Sequence, residues 1–390
     1  NLVVRASYGL QGNIDKNTSP FLLGNYRIEN ILPGGSEDMI DVSGAPNKKL
    51  RWEKTHSVNA GFDFAVLNQA INLSVDYYYR KGVDLIGTQM LPLETGFEML
   101  TVNWASMRNQ GVEIALSTRN VHTKNFMWTT NFNFAYNNNK VLKEALREDA
   151  LEPGREGYPA GALFALKTAG LDEEGYPMFQ DKDGKAVSAM EFFKLQEWGF
   201  GATDLTARER RELYTYVGTA DCPYTGGFNN TFTYKAFELG VNFSFDFGGK
   251  VRSQPTYSIV DFDKGRNTNR DILNRWTPEN TETIFPVLLS QNERLDEYMW
   301  YSNQNEIYRN LDIWIRDLNY VRLQNIRLGY TLPTNFTRTL GMTSATVAIE
   351  GRNLLVFGSS YKNYLDPETM SNAYATPAPK SVTLSLNLIF

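Results

Sequence analysis

The chain contains few of the residues from which small metal sites and catalytic sites are usually built. Its 390 residues include one cysteine, Cys222, which excludes a disulfide framework and a cysteine-based zinc site. The two histidines, His56 and His122, lie far apart in the sequence, and neither has a partner at a spacing typical of metal ligands. The sequence therefore predicts no metal site, no cofactor and no enzyme.

Two further absences concern membrane helices and nucleic acid. No run of about 18 apolar residues occurs, so the sequence predicts no transmembrane helix. The 39 lysines and arginines are outnumbered by 44 aspartates and glutamates, which gives a formal net charge of −5. Because a nucleic-acid-binding surface usually needs an excess of basic residues, nucleic acid is not expected as a partner.

Aromatic residues are abundant instead, at 13% of the chain, with 21 tyrosines and 23 phenylalanines. Such residues favour strands and collect at membrane interfaces. In the last ten residues, 381–390, apolar residues occupy the even positions and Ser, Thr, Ser and Asn the odd positions up to 387. A strand of this pattern has one apolar and one polar face. Its length suits a tilted strand that crosses a bilayer in about 9–11 residues.

The same alternation recurs along the chain and predicts about ten strands, joined by alternately short and long connections. Short turns at one end and long loops at the other are typical of an outer-membrane β-barrel. A soluble β-sandwich is the alternative, but it does not readily explain this regular alternation. A change of apolar parity predicts a β-bulge near Gln324-Asn325. The predicted strands are 2–10, 56–66, 71–80, 108–118, 126–136, 224–234, 237–247, 317–332, 344–356 and 381–390.

Polar residues between the apolar ones predict a water-filled lumen rather than a core of packed side chains. The chain begins in the middle of a strand, which favours part of a wide barrel over a complete narrow one. We interpret the inward charges either as a salt-linked wall or as a lining for substrate. The charged residues expected to face the lumen are Asp76, Arg80, Glu113, Glu238, Asp246 and Arg327.

Eight short segments, each weak by itself, occur in the order that one known family shows. By residue number they are 49–55 (KLRWEKT), 74–79 (SVDYYY), 107–113 (MRNQGVE), 227–235 (GFNNTFTYK), 275–280 (RWTPEN), 320–330 (YVRLQNIRLGY), 351–355 (GRNLL) and 366–368 (DPE). Together they span nearly the whole chain. The chain therefore resembles the SusC/RagA-type TonB-dependent outer-membrane transporters.

This resemblance implies an all-β, transmembrane antiparallel barrel of about 22 strands with a plugged lumen. Residues 1–390 then correspond to the C-terminal half of the barrel, without the N-terminal plug and TonB box. By resemblance to outer-membrane proteins in general, Phe390 is the expected assembly signal. The long extracellular loops are expected at about 11–51, 83–106, 138–223, 248–316 and 357–380.

The resemblance also implies partners. A SusD-like surface lipoprotein is expected as a lid, the TonB complex would act through the N-terminal region, and outer-membrane lipid would surround a multi-pass barrel. Transporter–lid pairs are expected to form dimers in the outer membrane of a Gram-negative bacterium. The substrate is expected to be an oligosaccharide, with a peptide as the alternative.

Aromatic residues in the predicted long loops are candidates for contact with substrate or lid, because exposed rings can stack on sugars or anchor a partner. The competing interpretation is packing inside the loops. The candidates are Trp198, Trp276, Trp300, Tyr301 and Trp314.

Two acidic loop segments can each be interpreted structurally, as a loop or turn, or functionally, as a site. The run Asp172-Glu173-Glu174 is expected to be a solvated loop face rather than a catalytic pair. The segment 181–185 (DKDGK) resembles part of a calcium loop, but it lacks the third ligand before the glycine and the later bidentate glutamate, so a plain turn is favoured.

Three functions remain open from the sequence. Active, TonB-energised import of a large nutrient is the leading hypothesis. A passive outer-membrane pore is the second, and a soluble all-β glycan-binding module is the third.

Overall fold

The structure is a computed structural model, and it describes residues 1–14, 16, 18–32, 35–97, 99–196, 203–253, 265, 267, 270–288, 309–358, 366–369 and 375–390. Strands dominate these residues, and the helices are short. None of the helices in the described ranges is long and apolar enough to cross a membrane.

The described residues form seventeen strands and three α-helices, numbered here in chain order. The strands are β1 (Leu2–Asn13), β2 (Leu23–Leu32), β3 (Gly35–Gly44), β4 (Glu53–Val66), β5 (Ile71–Met90), β6 (Met99–His122), β7 (Phe126–Lys143), β8 (Ala162–Leu166), β9 (Thr168–Leu171), β10 (Pro177–Gln180), β11 (Ala186–Val187), β12 (Tyr214–Thr219), β13 (Tyr224–Tyr234), β14 (Phe237–Arg252), β15 (Ile315–Thr331), β16 (Ser344–Phe357) and β17 (Ser381–Ile389). The helices are α1 (Ala189–Phe192), α2 (Ala207–Glu212) and α3 (Thr334–Thr339), with 3₁₀ turns at Leu93–Thr95, Arg270–Asn274 and Asp312–Trp314.

Ten of these strands form one antiparallel sheet in the order β1-β4-β5-β6-β7-β13-β14-β15-β16-β17. The order follows the chain, so each strand pairs with the next long strand, as in an up-and-down barrel wall. All ten predicted strands are therefore confirmed, and most extend beyond the range that the alternation predicts. The all-β antiparallel fold that the sequence predicts is confirmed.

The strand connections alternate in length around most of this sheet, although the β5–β6 connection, residues 91–98, is shorter than the alternation predicts. At one end, β4–β5 and β13–β14 are joined by tight turns, in which Leu67, Asn68, Gln69 and Lys235 adopt positive φ. The connection from β15 to β16 is longer and contains α3. The predicted bulge is also present: the register of β15 shifts between Leu323 and Asn325 against both neighbours. This extra residue explains the parity change in the sequence.

The apolar face of the sheet carries the even positions of β7 and β13 and the odd positions of β14. Its residues follow one another in cross-strand rows, as in Phe132, Phe228 and Phe243. The rings of Phe228 and Phe243 stack with centroids 4.8 Å apart. Aromatic rows border this face at both ends. One row is Tyr77, Tyr136, Tyr224 and Phe247, and the other is Phe126, Tyr234, Phe237 and Tyr330.

The spacing of these two aromatic rows fits a membrane. Phe126 and Tyr136 lie ten positions apart on β7. This is about 33 Å along a strand, or about 25 Å of height at a tilt of about 40°. The apolar band of outer-membrane barrels is about 25 Å tall and is flanked by aromatic girdles.

Two long connections fold together into one unit, the loop module, which comprises residues 138–223 and 270–316 as far as they are described. Its core is aromatic, and Phe179, Phe193 and Trp314 are each at most 2% exposed. Leu166 of β8 pairs with Leu311 of the second connection in a parallel bridge. The module thus has a hydrophobic core of its own, although neither connection shows a simple apolar period.

Two expected loops contain more strand than the sequence indicates. The range 83–106 is expected to be a loop, but pairing between β5 and β6 continues to Met90 and begins at Met99. A bulge near Asp84, which has φ 59°, interrupts the alternation there and conceals the strand. The range 11–51 contains the β2–β3 hairpin, which pairs only with itself.

Candidate functional site

A row of polar side chains crosses the face of the sheet opposite the apolar face, which is called the polar face here. Asp76 of β5 pairs with Glu113 of β6, and the row continues through Ala135 and Thr225 to Asp246 of β14. Because directly opposed residues on neighbouring strands share a face, three carboxylates lie at one level. A polar hollow on this face is lined by these same carboxylates.

The first of these carboxylates belongs to a hydrogen-bonded network at the edge of the sheet. The guanidinium Nη2 of Arg5 lies 3.1 Å from Asp63 Oδ1 and 3.0 Å from Asp76 Oδ2. Ser74 Oγ donates to Asp63 Oδ1 at 2.7 Å. Gly61, opposite both Arg5 and Asp76, leaves the space for these contacts, since a Cβ there would lie 2.1 Å from Asp76 Oδ1. One arginine thus ties three strands together on the polar face.

The other predicted lumen-facing charges lie on the polar face too. Arg80 is four residues beyond Asp76 on β5, and its guanidinium lies 5.3 Å from the centre of the Tyr78 ring. Glu238 of β14 and Arg327 of β15 form an ion pair of 2.9 Å. All six residues therefore share one face of the sheet. That this face lines a lumen stays a prediction.

A buried ion cluster lies at the end of the polar row and was not predicted as a site. Arg322 of β15 is 2% exposed, its guanidinium contacts the Asp366 carboxylate, and its Nε lies 2.9 Å from Glu368 Oε1. Tyr320 reaches two carboxylates, with its hydroxyl oxygen 2.5 Å from Asp246 Oδ2 and 3.2 Å from Glu368 Oε1. The cluster fastens the connection between β16 and β17 to the wall of the sheet.

The sequence contains a signal for this cluster, but only in two separate pieces. Tyr320 and Arg322 belong to one family-like segment, and Asp366 and Glu368 belong to another. Arg322 and Asp366 lie 44 residues apart. Without knowledge of the strand pairing, nothing in the two segments indicates that they meet, so the sequence alone gives neither segment a role.

Among the candidate loop aromatics that the structure describes, Trp276 is partly accessible. It is half-buried and packs on Gly175, where an added Cβ would lie 2.4 Å from Trp276 Cδ2. Gly175 also has φ 86°, so both its backbone and the tryptophan require glycine. The backbone N–H of Trp276 donates to the Phe285 carbonyl at 3.0 Å. Trp276 is therefore held in the loop module with part of its ring accessible.

Trp314 is not an exposed contact residue. It is 1% exposed and packs in the core of the loop module, with the Phe285 ring centroid 5.9 Å away. The prediction of a substrate or lid contact is wrong for this residue, because a buried ring cannot stack on a ligand; internal packing, the competing interpretation, applies. Trp198, Trp300 and Tyr301 lie outside the described residues.

The acidic loop segments act as turn caps. Asp172 Oδ1 accepts hydrogen bonds from the backbone N–H groups of Glu174 and Tyr176 at 3.0 and 2.8 Å. Asp181 Oδ1 accepts from Asp183 and Lys185 at 3.0 and 2.8 Å. Both carboxylates thus satisfy backbone donors in tight turns. Within the described part of the chain, no group of three or more histidine, cysteine or acidic residues is placed to hold a metal ion.

Two TonB-dependent receptors are similar to most of the chain. The TonB-dependent receptor P3 of Formosa agariphila is 27% identical over 416 residues, which cover 99% of this chain and 39% of the relative. The TonB-dependent receptor SusC of Bacteroides thetaiotaomicron is 26% identical over 365 residues, which cover 88% of this chain and 32% of the relative. The chain thus spans between about a third and two fifths of the length of these relatives. No protein-family model matches it.

Solved structures show the same fold. The RagAB peptide importer in its open-open state superposes with a TM-score of 0.74 at 23% identity, over 100% of this chain and 40% of the importer chain. The RagAB peptide transporter gives a TM-score of 0.72 at 23% identity. The relatives are named as receptors and transporters, and none of those cited here is named as an enzyme. The comparisons confirm the resemblance that the motifs indicate: the chain is similar over its length to the SusC/RagA-type TonB-dependent outer-membrane transporters, and it has the fold of the C-terminal part of their transmembrane antiparallel β-barrel.

Proposed function

We propose that the chain forms the wall and mouth of an outer-membrane importer for large nutrients. The importer is multi-pass, is energised by TonB through its N-terminal region, and is closed by a SusD-like lipoprotein. It works as a dimer of transporter–lid pairs in a Gram-negative bacterium. The named relatives support nutrient import at the outer membrane as the class of function.

The observation that carries this proposal is the contrast between the two faces of one ten-stranded sheet. The apolar face is about 25 Å tall between its aromatic rows, which suits lipid. The polar face carries ion pairs and a row of three carboxylates, which suit water and a hydrated cargo. A soluble sandwich would instead bury one apolar face of each sheet against another sheet.

The loop module supplies a folded mouth at the end of the sheet with the long connections. It is joined to β14 by hydrogen bonds of Arg252, whose guanidinium contacts the carbonyls of Phe164 and Arg309. A rigid mouth of this kind can present residues to a lid or a cargo without ordering a loose loop on binding. Trp276 remains the described candidate for such contact. Trp198, Trp300 and Tyr301 remain candidates from sequence alone.

The test of the proposal is uptake by cells that carry the complete transporter. Radiolabelled oligosaccharide and peptide mixtures are supplied to wild-type cells, to cells without TonB, and to cells without the transporter. Import by the proposed mechanism requires both genes. Uptake that persists without TonB contradicts energised import and supports a passive pore.

Experiments on the purified complete transporter distinguish the remaining alternatives. A soluble glycan-binding module would purify without detergent, whereas a membrane barrel requires it. Ligand that copurifies with the transporter, identified by mass spectrometry, decides between oligosaccharide and peptide. A passive pore would instead let small sugars leak from proteoliposomes at a rate independent of any lid protein.

A further inference from the structure

Three basic side chains form a cross-strand row on the same side of the sheet as the apolar face. Lys81 of β5 pairs with Arg108 of β6, and Arg108 pairs with Lys140 of β7. These three residues are called the basic row. They lie on the apolar-face side because they continue the alternation of Tyr77, Val112 and Tyr136, which form a row four positions nearer the middle of the sheet.

The level of the basic row matches a lipid headgroup layer. Four residues beyond the aromatic row correspond to about 13 Å along the strands, or about 10 Å of height at a tilt of about 40°. The aromatic girdle marks the edge of the hydrocarbon region, and the polar headgroups begin there. In a membrane-embedded barrel, the basic row, whose side chains are partly buried, would lie on the outer surface at the depth of headgroup phosphates.

The positive charges of this row have no balancing carboxylate in the described part of the chain. Among the residues that the structure describes, no ion pair or side-chain hydrogen bond involves Lys81, Arg108 or Lys140, and the buried Nε of Arg108 has no acceptor. Neighbouring strands are about 4.8 Å apart, so the three cations repel one another. Nearby cations are different: Arg51 and Lys54 both pair with Asp84.

We propose that the basic row binds the phosphate group of a lipid headgroup in the leaflet on the side of the long loops. Arginine offers a planar pair of N–H donors that fits phosphate, and lysine on each side adds a point charge. The donor set has no acceptor of its own, so it selects an anion. This inference rests on the proposed placement of the barrel in the outer membrane.

The experiment uses the complete transporter in lipid nanodiscs and measures bound lipid by native mass spectrometry. The probes are phosphatidic acid, diacylglycerol with the same acyl chains, and inorganic phosphate. The test variant carries Lys81→Gln, Arg108→Gln and Lys140→Gln. The control variant removes three exposed lysines elsewhere, Lys48→Gln, Lys49→Gln and Lys185→Gln, so that both variants change the net charge equally.

Wild type and control are expected to retain phosphatidic acid at least tenfold better than diacylglycerol. The test variant is expected to lose this preference. In the wild type, added salt is expected to weaken it. Equal retention by test variant and wild type overturns the proposal. Displacement by inorganic phosphate as effective as by phosphatidic acid also overturns it, because the site would then bind the free ion.

Two further measurements keep the outcomes separate. Heat-modifiability on gels shows whether the test variant is folded, and a single substitution, Arg108→Gln, serves if the triple variant is not. A changed oligomeric state with unchanged lipid retention overturns the proposal in favour of a protein interface. Uptake that does not depend on the transporter gene counts against the proposed function, whereas loss of lipid preference with normal uptake leaves that function intact.

Discussion

The ten-stranded sheet and the loop module solve the same problem of burial in opposite ways. In the sheet, each strand places apolar residues on one face, where lipid covers them, and hydrogen bonds join every strand to its neighbours. In the loop module, short strands and turns enclose a core in which Phe179 and Leu311 are fully buried. The sheet therefore depends on the membrane, and the module depends on packing. A perturbation should affect one region without the other, and four predictions test this.

The largest effect is expected from Trp314→Ala in the core of the loop module. Removing a fully buried tryptophan costs about 3–5 kcal/mol of the free energy of unfolding. We expect the module to become sensitive to protease while the sheet keeps its heat-modifiable mobility on gels. Trp52→Ala, at a site that is 59% exposed, is the matched control and should have little effect. Unfolding of the whole barrel by Trp314→Ala would show that the two regions are not independent.

A destabilisation of similar size is expected from Arg322→Ala, but it should affect only the contact between the polar face and the β16–β17 connection. Removing one member of a buried ion pair costs about 3–5 kcal/mol, because a carboxylate is left without its partner. Hydrogen exchange is expected to quicken at 366–369. Arg352→Ala is the control, since Arg352 is 61% exposed in its pair with Glu350 and should matter little. Unchanged exchange at 366–369 would contradict the anchoring role.

The third prediction compares arginine substitutions at two adjacent residues, one on each face of the sheet. Leu116 lies near the middle of the apolar face, and Ser117 lies on the polar face. Arginine at a lipid-facing midplane position costs about 2–4 kcal/mol. Leu116→Arg is therefore expected to lower the folded fraction in vesicles, while Ser117→Arg folds normally. Equal folding of the two variants would reverse our assignment of the faces.

The smallest effect is expected at the capping box of α2. Thr206 Oγ1 accepts from the Glu209 N–H at 3.3 Å, and Glu209 Oε2 accepts from the Thr206 N–H at 2.9 Å. Thr206→Ala should cost about 1 kcal/mol of helix stability. Hydrogen exchange in α2, compared between variant and wild type at each pH, measures the loss. No difference at pH 6 would contradict the cap.

The sign of the pH dependence follows from Glu209. Hydrogen bonds from the backbone and hydroxyl of Thr206 lower the pKa of the Glu209 carboxyl below its ordinary value. The stabilisation is therefore present above the unfolded pKa of about 4.3 and is lost as pH falls through the lowered value. The difference between wild type and Thr206→Ala should shrink on acidification.

The sheet could be predicted from the sequence because the alternation that defines each strand depends only on residues next to one another in the chain. Each strand alternates by itself, so the pattern in 237–247 indicates two faces without knowledge of any partner. Even the bulge near Gln324 leaves a parity change that the sequence reveals. The alternation indicates too short a strand where a register shift interrupts it, as in β5 near Asp84 and in β14 between Asp246 and Gly249.

The loop module and the ion cluster could not be predicted, because their contacts are not local. Leu166 meets Leu311, and Arg322 meets Asp366, across long separations in the chain. An aromatic residue in a loop has the same appearance in sequence whether it is exposed or buried. Trp276 and Trp314 were therefore given the same role, although only Trp314 is enclosed by the core.

The shared core of the loop module also sets an order of assembly. Residues 162–214 cannot complete their core until Leu311 and Trp314 pack against them, and the β13–β14 hairpin lies between the two segments in the chain. Contacts so distant in sequence form slowly, because a long loop must close first. Pairing of β13 with β14 brings the two connections to the same end of the barrel and shortens that search. The mouth is thus expected to mature after the wall beneath it.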